Sequence, residues 1–310
     1  MTTLDPIIIT GPTAGGKSDL AEKVCDALDG IIINADSLQM YKGLPCLTAQ
    51  PETQEERHTL YSVFEPGNKC DVIKWIELVE LEISRANAQG KRPIIVGGTG
   101  FYLKVLLGGI APIPPIPETI FQHADWLVQT YGLGHLIEDL IKKDPDLPKH
   151  LQHKDPQRVL RAWTVLKATG ISLRDWYKKQ TQNEQKFIKI LRTRERDVLY
   201  KRINQRFDLM WTNGIIEEVQ VFNSKYSNIT NNYAVKAIGF AEVDAYLKGD
   251  ISAAKAIELA QTKTRQYAKR QLTWFRHQFK SDVVIETNQN GVDEILNFVD
   301  KWETKTYKKD

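Results

Sequence analysis

Apolar, β-branched runs of strand length recur at residues 7–10 (IIIT), 31–34 (IIIN), 93–96 (PIIV), 188–191 (IKIL) and 283–285 (VVI). Helical spacing fills most of the gaps between them. "GKSDLAEKVCDAL" sets Leu20, Val24, Ala27 and Leu28 on one face, and "DVIKWIELVELEISRANAQG" is bracketed by an Asp71 cap and a Gly90 stop. Strands alternating with helices predict right-handed crossovers and a parallel sheet covered on both faces, an α/β core.

The alternation stops at "GGIAPIPPIPET", where Pro112, Pro114, Pro115 and Pro117 end regular structure. From Glu118 to about Glu184 only helical spacing appears, with Trp126, Trp163 and Trp176 and no strand, and strand character returns near Phe187. The expected organisation is an α/β core over residues 1–112 and 188–310, P-loop NTPase-like where "GPTAGGKS" (11–18) joins the first strand to the first helix, the second part with a long basic helix, interrupted by an all-helical insertion over 113–187. No internal repeat is evident, and the tail "KWETKTYKKD" is expected to fray.

Composition narrows the class without naming it. Hydrophobic residues make up 42% and charged residues 26% of the 310 positions, and no window approaches the roughly 20 apolar residues of a membrane span. The expectation is a soluble protein without a membrane partner. "MTTLDPIII" lacks the basic start and small-residue cleavage site of a secretory leader, so a cytoplasmic location is expected. Cys25, Cys46 and Cys70 are widely spaced and join no histidine at metal-ligand spacing, which predicts incidental thiols. A net charge of +3 is too mild to imply a nucleic-acid partner, so clustering of charge matters more than its sum.

Local chemistry is concentrated at "GPTAGGKS". Gly11, Pro12, Thr13, Ala14, Gly15, Gly16, Lys17 and Ser18 fit G-x-x-x-x-G-K-[ST], with a strand before and a helix after. The glycines let backbone N–H groups turn toward an anion, the helix N-terminus adds partial positive charge, Lys17 offers a point charge, and the Ser18 hydroxyl can ligate Mg²⁺. This pattern identifies phosphate and nothing finer. Asp36 and Ser37 follow the second strand, where they should face the same cleft as Lys17. An isolated Asp-Ser is more often a helix cap or turn than a base.

Several further stretches lie in chain order: "DSLQMYKGLPCLTAQP" (36–51), "VGGTGFYLKVLL" (96–107), "DPQRVLRA" (155–162), "RINQRFDLM" (202–210) and "TRQYAKRQLTWFR" (264–276). With the glycine loop they resemble the tRNA dimethylallyltransferases of bacterial type over nearly the whole chain. The resemblance implies that N6 of adenine 37 in tRNA attacks the allylic carbon of dimethylallyl diphosphate and expels pyrophosphate, with Mg²⁺ as cofactor. Loop residues 11–18 would then hold a leaving group. Asp36 is implied as general base, Arg206 as a second cation on the diphosphate, and Thr99 as an orienting residue. Without the resemblance, Arg206 reads as a solvated helix charge and Thr99 as the end of a turn. Asp36, Ser37, Leu38 and Gln39 are implied as tRNA contacts, as are Gln157, Arg158 and Arg161 of the insertion. Core and insertion would grip the anticodon stem-loop from two sides while a base is extruded from its stack.

Between Lys263 and Lys280 there are six Lys or Arg and no acidic residue. Helical spacing puts Arg265, Lys269, Arg276 and Lys280 on one side and Ile257, Ala260, Thr264, Tyr267, Phe275 and Phe279 on another. Such a face is usually only solvated. Beside a phosphate site, the family resemblance implies that Arg265, Lys269 and Arg270 bind tRNA phosphates. Two stretches depart from the family pattern. Leu47 stands where relatives have Gly and Gln50 where they have Lys, which puts the loop's shape and one cationic contact in question. Phe240 and Ala241 replace Tyr and a charged residue, which predicts altered tRNA affinity with the chemical step retained. A kinase moving the terminal phosphoryl of ATP, with Asp36 serving metal or acceptor, is the competing reading. A third is a tRNA-binding paralogue without catalysis. A monomer is expected.

Overall fold

The computed structural model describes residues 4–51, 56–144, 155–180, 183–286 and 291–307. The chain divides into two compact units, residues 1–104 with 184–310, and residues 105–183.

The first unit is built on a parallel sheet of six strands: β1 (Ile7–Thr10), β2 (Gly30–Asn34), β3 (His58–Thr59), β4 (Arg92–Gly97), β5 (Ile188–Arg192) and β6 (Val283–Ile285), in the order β3-β2-β4-β1-β5-β6. Every residue of β1, β2 and β4 is buried, which is why these segments are apolar without alternation: helices cover both faces. On one face, Leu20, Val24 and Cys25 of α1 (Lys17–Ala27) pack with Ile295 and Val299 of α13 (Gly291–Tyr307) against Ile7, Ile9, Ile94 and Ile188. α3 (Val72–Ala88) begins at Asp71, whose side chain accepts from Ile73 N–H and Lys74 N–H, and its fully buried Trp75 donates an indole N–H to Asn34 O at 3.0 Å. That bond anchors the carboxyl end of β2, where the candidate base sits.

The expected strands all form. β3, two residues long, was not expected, because a pair of half-buried residues carries no periodicity. Of the expected fraying tail, residues 301–307 are instead the last turns of α13, tied down where Trp302 Nε1 donates to Asp5 Oδ2 at 2.8 Å and Glu303 pairs with Arg92, and residues 308–310 lie outside the described residues. Leu47 needs no glycine conformation: it lies in the single-turn α2 (Pro45–Thr48), and the left-handed residue is Ala49 with φ 54°. Its side chain fills the space above Gly239, in the same apolar cluster as Phe207 and Phe240, so the Leu47 and Phe240 departures are packed together. Phe240 is therefore core, not surface, while Ala241 is exposed. Gln50 is also buried. It donates to Tyr41 O and Thr48 Oγ1 and accepts from Ser62 Oγ at 2.7 Å, an uncharged hub at the position where a cationic contact was in question.

The boundary between units falls inside α4 (Gly100–Gly108). The expected boundaries at 112/113 and 187/188 lie further along the chain, because the end of α4 bonds within the helical unit: Gln180 Nε2 donates to Gly108 O and Gly109 O, and Asn183 Nδ2 to Leu106 O at 2.9 Å. That unit holds α5 (Glu118–Tyr131), α6 (Leu133–Lys143), α7 (Pro156–Thr169) and α8 (Leu173–Lys178). Leu127, Leu136, Leu140, Val159, Trp163 and Leu166 form its own core. As expected, Asp155 caps α7 by accepting from Gln157 N–H and Arg158 N–H, with Pro156 at the first helical position.

Candidate active site

At the carboxyl end of β1 the chain turns through residues 11–16 into α1. A Cβ at Gly11 would overlap the Arg192 carbonyl, and Gly16 sits at φ 86° and ψ 31°, so both positions need glycine. Gly15 N–H donates to Pro12 O at 3.1 Å and closes the turn. Lys17 extends back over the loop, its Nζ donating to Pro12 O at 2.9 Å, and burial lowers its pKa to about 8, with Asp36 raising it and Arg206 lowering it further. Ser18 and Asp19 are exposed at the start of α1 and line the same cavity.

Three arginines brace this loop from outside it. Arg194 Nε donates to Gly15 O and Arg202 Nε to Ala14 O, both at 3.0 Å, while Arg206 Nη2 donates to Thr13 Oγ1 at 2.7 Å. Arg202 and Arg206 lie one turn apart on α9 (Arg196–Thr212), which presents both to the loop. Burial lowers the Arg206 pKa from its ordinary value, against the raising effect of Asp36. Arg206 therefore lies in the cavity against the loop and is not a solvated helix charge.

Asp36 stands two residues beyond β2. Its N–H donates to Asn34 Oδ1 at 2.9 Å, its carbonyl accepts from Asn34 Nδ2 at 3.0 Å, and its carboxylate Oδ1 accepts from Leu38 N–H at 3.0 Å. It is a turn residue and a cavity residue at once. Thr99, just past β4, accepts from Ser37 N–H through Oγ1 at 3.1 Å, and its own N–H reaches Ala35 O. Two strand ends thus hold the turn that carries the carboxylate. Gln39 faces the cavity too, with Nε2 donating to Thr48 O and Ala49 O at 2.9 Å.

A cavity of about 480 Å³ is lined by Thr13, Ala14 and Gly16 to Asp19, by Asp36 and Gln39, by Arg202, Arg206 and Gln271, and by the less polar Tyr61, Val96 and Leu209, with Thr99 behind the lining. Burial pushes the hydroxyls of Tyr61 and Tyr267 up, and the charge of Asp36 adds to both. Among the described residues no cluster of three or more His, Cys, Asp or Glu could hold a metal on its own, and no helix is long and apolar enough to cross a membrane.

The other expected contacts lie elsewhere. On α12 (Ala253–Gln278) Lys269 and Arg270 are exposed, Arg270 over the Tyr267 ring at 5.8 Å. Arg265 is engaged internally, donating to Asn204 Oδ1 at 2.6 Å and Thr262 Oγ1 at 2.7 Å, and Lys263 is paired with Glu242. Lys280 lies past the end of the helix, so it does not extend the basic face. In the helical unit Gln157, Arg158 and Arg161 are exposed at the start of α7. Asn34, Arg194, Arg202 and Gln271 were missed. Arg202 sits in the same stretch as Arg206 and one turn before it, a spacing signal that was legible.

The fold and this site define an α/β protein with a P-loop-like glycine turn that shares one cavity with a carboxylate. A family model described as IPP transferase matches residues 39–278. The tRNA dimethylallyltransferase of Agrobacterium fabrum is 40% identical over 287 residues, 90% of this chain and 95% of the relative. The crystal structure of the full-length tRNA isopentenylpyrophosphate transferase from Bacillus halodurans matches with a TM-score of 0.69 at 30% identity, covering 98% of both chains. A eukaryotic dimethylallyltransferase acting on tRNA shares the fold, with a TM-score of 0.84 at 22% identity over 97% of this chain and 80% of that one. The chain belongs to the IPP transferase family.

Proposed function

We infer that the chain transfers the dimethylallyl group from dimethylallyl diphosphate to N6 of adenine 37 in tRNA and releases pyrophosphate. The observation that carries this reading is the sharing of one cavity by a P-loop-like turn, two half-buried cations and a carboxylate. A diphosphate on residues 11–18 meets the loop N–H groups, Lys17 and Arg206. As the C–O bond to the allylic carbon breaks, its electron pair leaves with the diphosphate, where these fixed dipoles and charges stabilise it. The N6 lone pair forms the new C–N bond, and the proton lost from nitrogen passes to Asp36, a role typically worth about 10²–10⁴-fold in rate. Ser18 and Asp19 offer hard oxygens beside Lys17, a set suited to Mg²⁺ carried in with the diphosphate. Bound there, the ion supplies charge neutralisation to the leaving group.

Ser37, Leu38 and Gln39 follow Asp36 in the chain, Gln39 lining the same cavity, and are proposed to meet the nucleotide to be modified. The exposed Gln157, Arg158 and Arg161, and Lys269 with Arg270, are proposed as contacts to the anticodon stem-loop. Incubation with tRNA, Mg²⁺ and labelled dimethylallyl diphosphate, followed by nucleoside digestion, tests the assignment. N6-isopentenyladenosine and free pyrophosphate are expected. Label moving from the ATP γ-phosphate to a small acceptor would establish a kinase instead, and tRNA binding with neither product a non-catalytic paralogue.

A further inference from the structure

Gln271 is a polar side chain on the packing face of α12, between the buried Ala268 and Phe275, and only 6% of it is exposed. Its amide joins two distant pieces of chain. Oε1 accepts from Thr13 N–H at 2.8 Å, and Nε2 donates to Gly98 O at 2.9 Å. A backbone N–H can only donate and a carbonyl can only accept, so both ends of the amide have a single assignment.

The surrounding chain is shaped to admit this side chain. A Cβ on Gly98 would lie 2.5 Å from Nε2, and one on Gly100 would lie 2.5 Å from the ring of Trp274, one turn along the same helix. The two glycines therefore clear space for two side chains of α12, and Thr99 lies between them. Thr99 accepts from Ser37 N–H, beside Asp36. On the other side, Thr13 is pinned twice, by Gln271 at its N–H and by Arg206 at its hydroxyl.

We propose that Gln271 is a positioning residue that sets the spacing between the phosphate loop and the Asp36 turn, one amide bridging Thr13 on the loop and Gly98 on the strand end that carries Thr99. The role rests on the prenyl-transfer reading above, in which a carbon must sit between the diphosphate and a nitrogen facing Asp36. A displacement of about 1 Å in such an arrangement costs on the order of 10²-fold in rate. Gln271 contributes no charge and takes no proton. It acts through Thr13, Gly98 and Thr99.

Two variants of the full chain test this. Gln271→Met keeps the volume and removes both bridging bonds, together with the hydrogen bond between Gln271 and the Tyr267 hydroxyl, so turnover should fall roughly 30- to 100-fold while the tRNA dissociation constant stays within about twofold. Gln271→Glu presents two acceptors when ionised and repels Gly98 O. When protonated, its carboxyl donates to Gly98 O and accepts from Thr13 N–H, as the amide does. The ratio of Gln271→Glu turnover to wild-type turnover should therefore rise as pH falls. Lys17, Asp36, Arg206 and Tyr267 face the same region in both proteins, and dividing by the wild type removes their common titration. A merely structural role would lower the thermal midpoint and leave that ratio flat.

A flat ratio, or Gln271→Met turnover within about threefold of wild type, overturns the role. Should Gln271→Met fail to fold, the Gln271→Glu ratio decides alone, rising in support or flat against. Wild-type chain that makes no prenylated tRNA overturns the proposed function and this role with it. Active wild type beside unimpaired variants overturns the role alone.

Discussion

Arg202 and Arg206 on α9 differ from Arg158 and Arg161 on α7 in almost every physical respect. The first pair donates to the phosphate loop, and burial lowers the pKa of Arg206. The second pair stands in solvent, Arg158 beside Asp155 at 3.1 Å with 61% of its side chain exposed. An ion pair that exposed contributes little to stability. The inner cations are held in place before any ligand arrives, which suits stabilisation of charge that appears only as a bond breaks. The outer ones are exposed, Arg158 tied only to a capping carboxylate on its own helix, which suits phosphate contacts whose strength is set by counterion release. On the proposed function, one region would supply geometry and the other salt-dependent affinity.

Substitutions at the two regions should separate accordingly. The largest effect is expected from Asp36→Asn, which keeps the turn but removes the proton acceptor: single-turnover prenylation should fall about 10²–10⁴-fold with tRNA affinity unchanged. Full turnover in that variant would remove Asp36 from the chemistry. Next comes Asn34→Leu. It leaves Asp36 N–H and the carbonyls of Asp36 and Leu60 without their buried partner, at about 1–3 kcal/mol. Chemical denaturation should show that loss together with slower turnover, and an unchanged midpoint with unchanged turnover would mean that the Asp36 turn holds itself.

Lys17 supplies a pH test. Its pKa of about 8 lies below the ordinary 10.5, so it loses its proton as pH rises through about 8 and the free site loses a positive charge. Pyrophosphate affinity measured by calorimetry should weaken above that pH. The stability of the unliganded protein should move the other way, rising between about 8 and 10.5, where the unfolded chain still holds the proton that the native lysine has released. Affinity that is level from pH 7 to 9.5 would show that the ammonium is not a ligand group.

The smallest effects are expected at the outer arginines. Arg158→Ala should weaken tRNA binding and reduce the magnitude of its salt slope by about 0.7–0.9, with turnover at saturating tRNA intact. Arg265→Ala, by contrast, should lower the thermal midpoint and leave the salt slope alone, because its guanidinium is bonded to Asn204 and Thr262. A changed slope in Arg265→Ala would place that residue among the RNA contacts.

The same contrast explains what could be read from the sequence. Residues 11–18 are legible because every constraint on a phosphate loop is local: glycines, lysine and hydroxyl sit within eight positions between a strand and a helix. Asp36 and Thr99 follow from strand ends, which the apolar runs locate. Gln271 is bonded across 258 residues to Thr13 and 173 to Gly98, and no local pattern announces that. Its one signal is periodic, a polar residue in the stripe that also carries Ala260, Ala268 and Phe275. The basic face of α12 read too broadly for the converse reason. Charge counting cannot tell that Glu242 neutralises Lys263, that Asn204 occupies Arg265, or that the helix stops before Lys280. The terminal helix was missed because its anchors, Asp5 and Arg92, lie at the other end of the sequence.

A crystal structure with a non-reactive thio-analogue of dimethylallyl diphosphate tests the central claim most directly. Diphosphate oxygens within hydrogen-bond reach of the loop amides, Lys17 and Arg206, with the allylic carbon directed toward the Asp36 side of the cavity, are the predicted result. A diphosphate seated away from residues 11–18, or a five-carbon chain pointing away from Asp36, would contradict it.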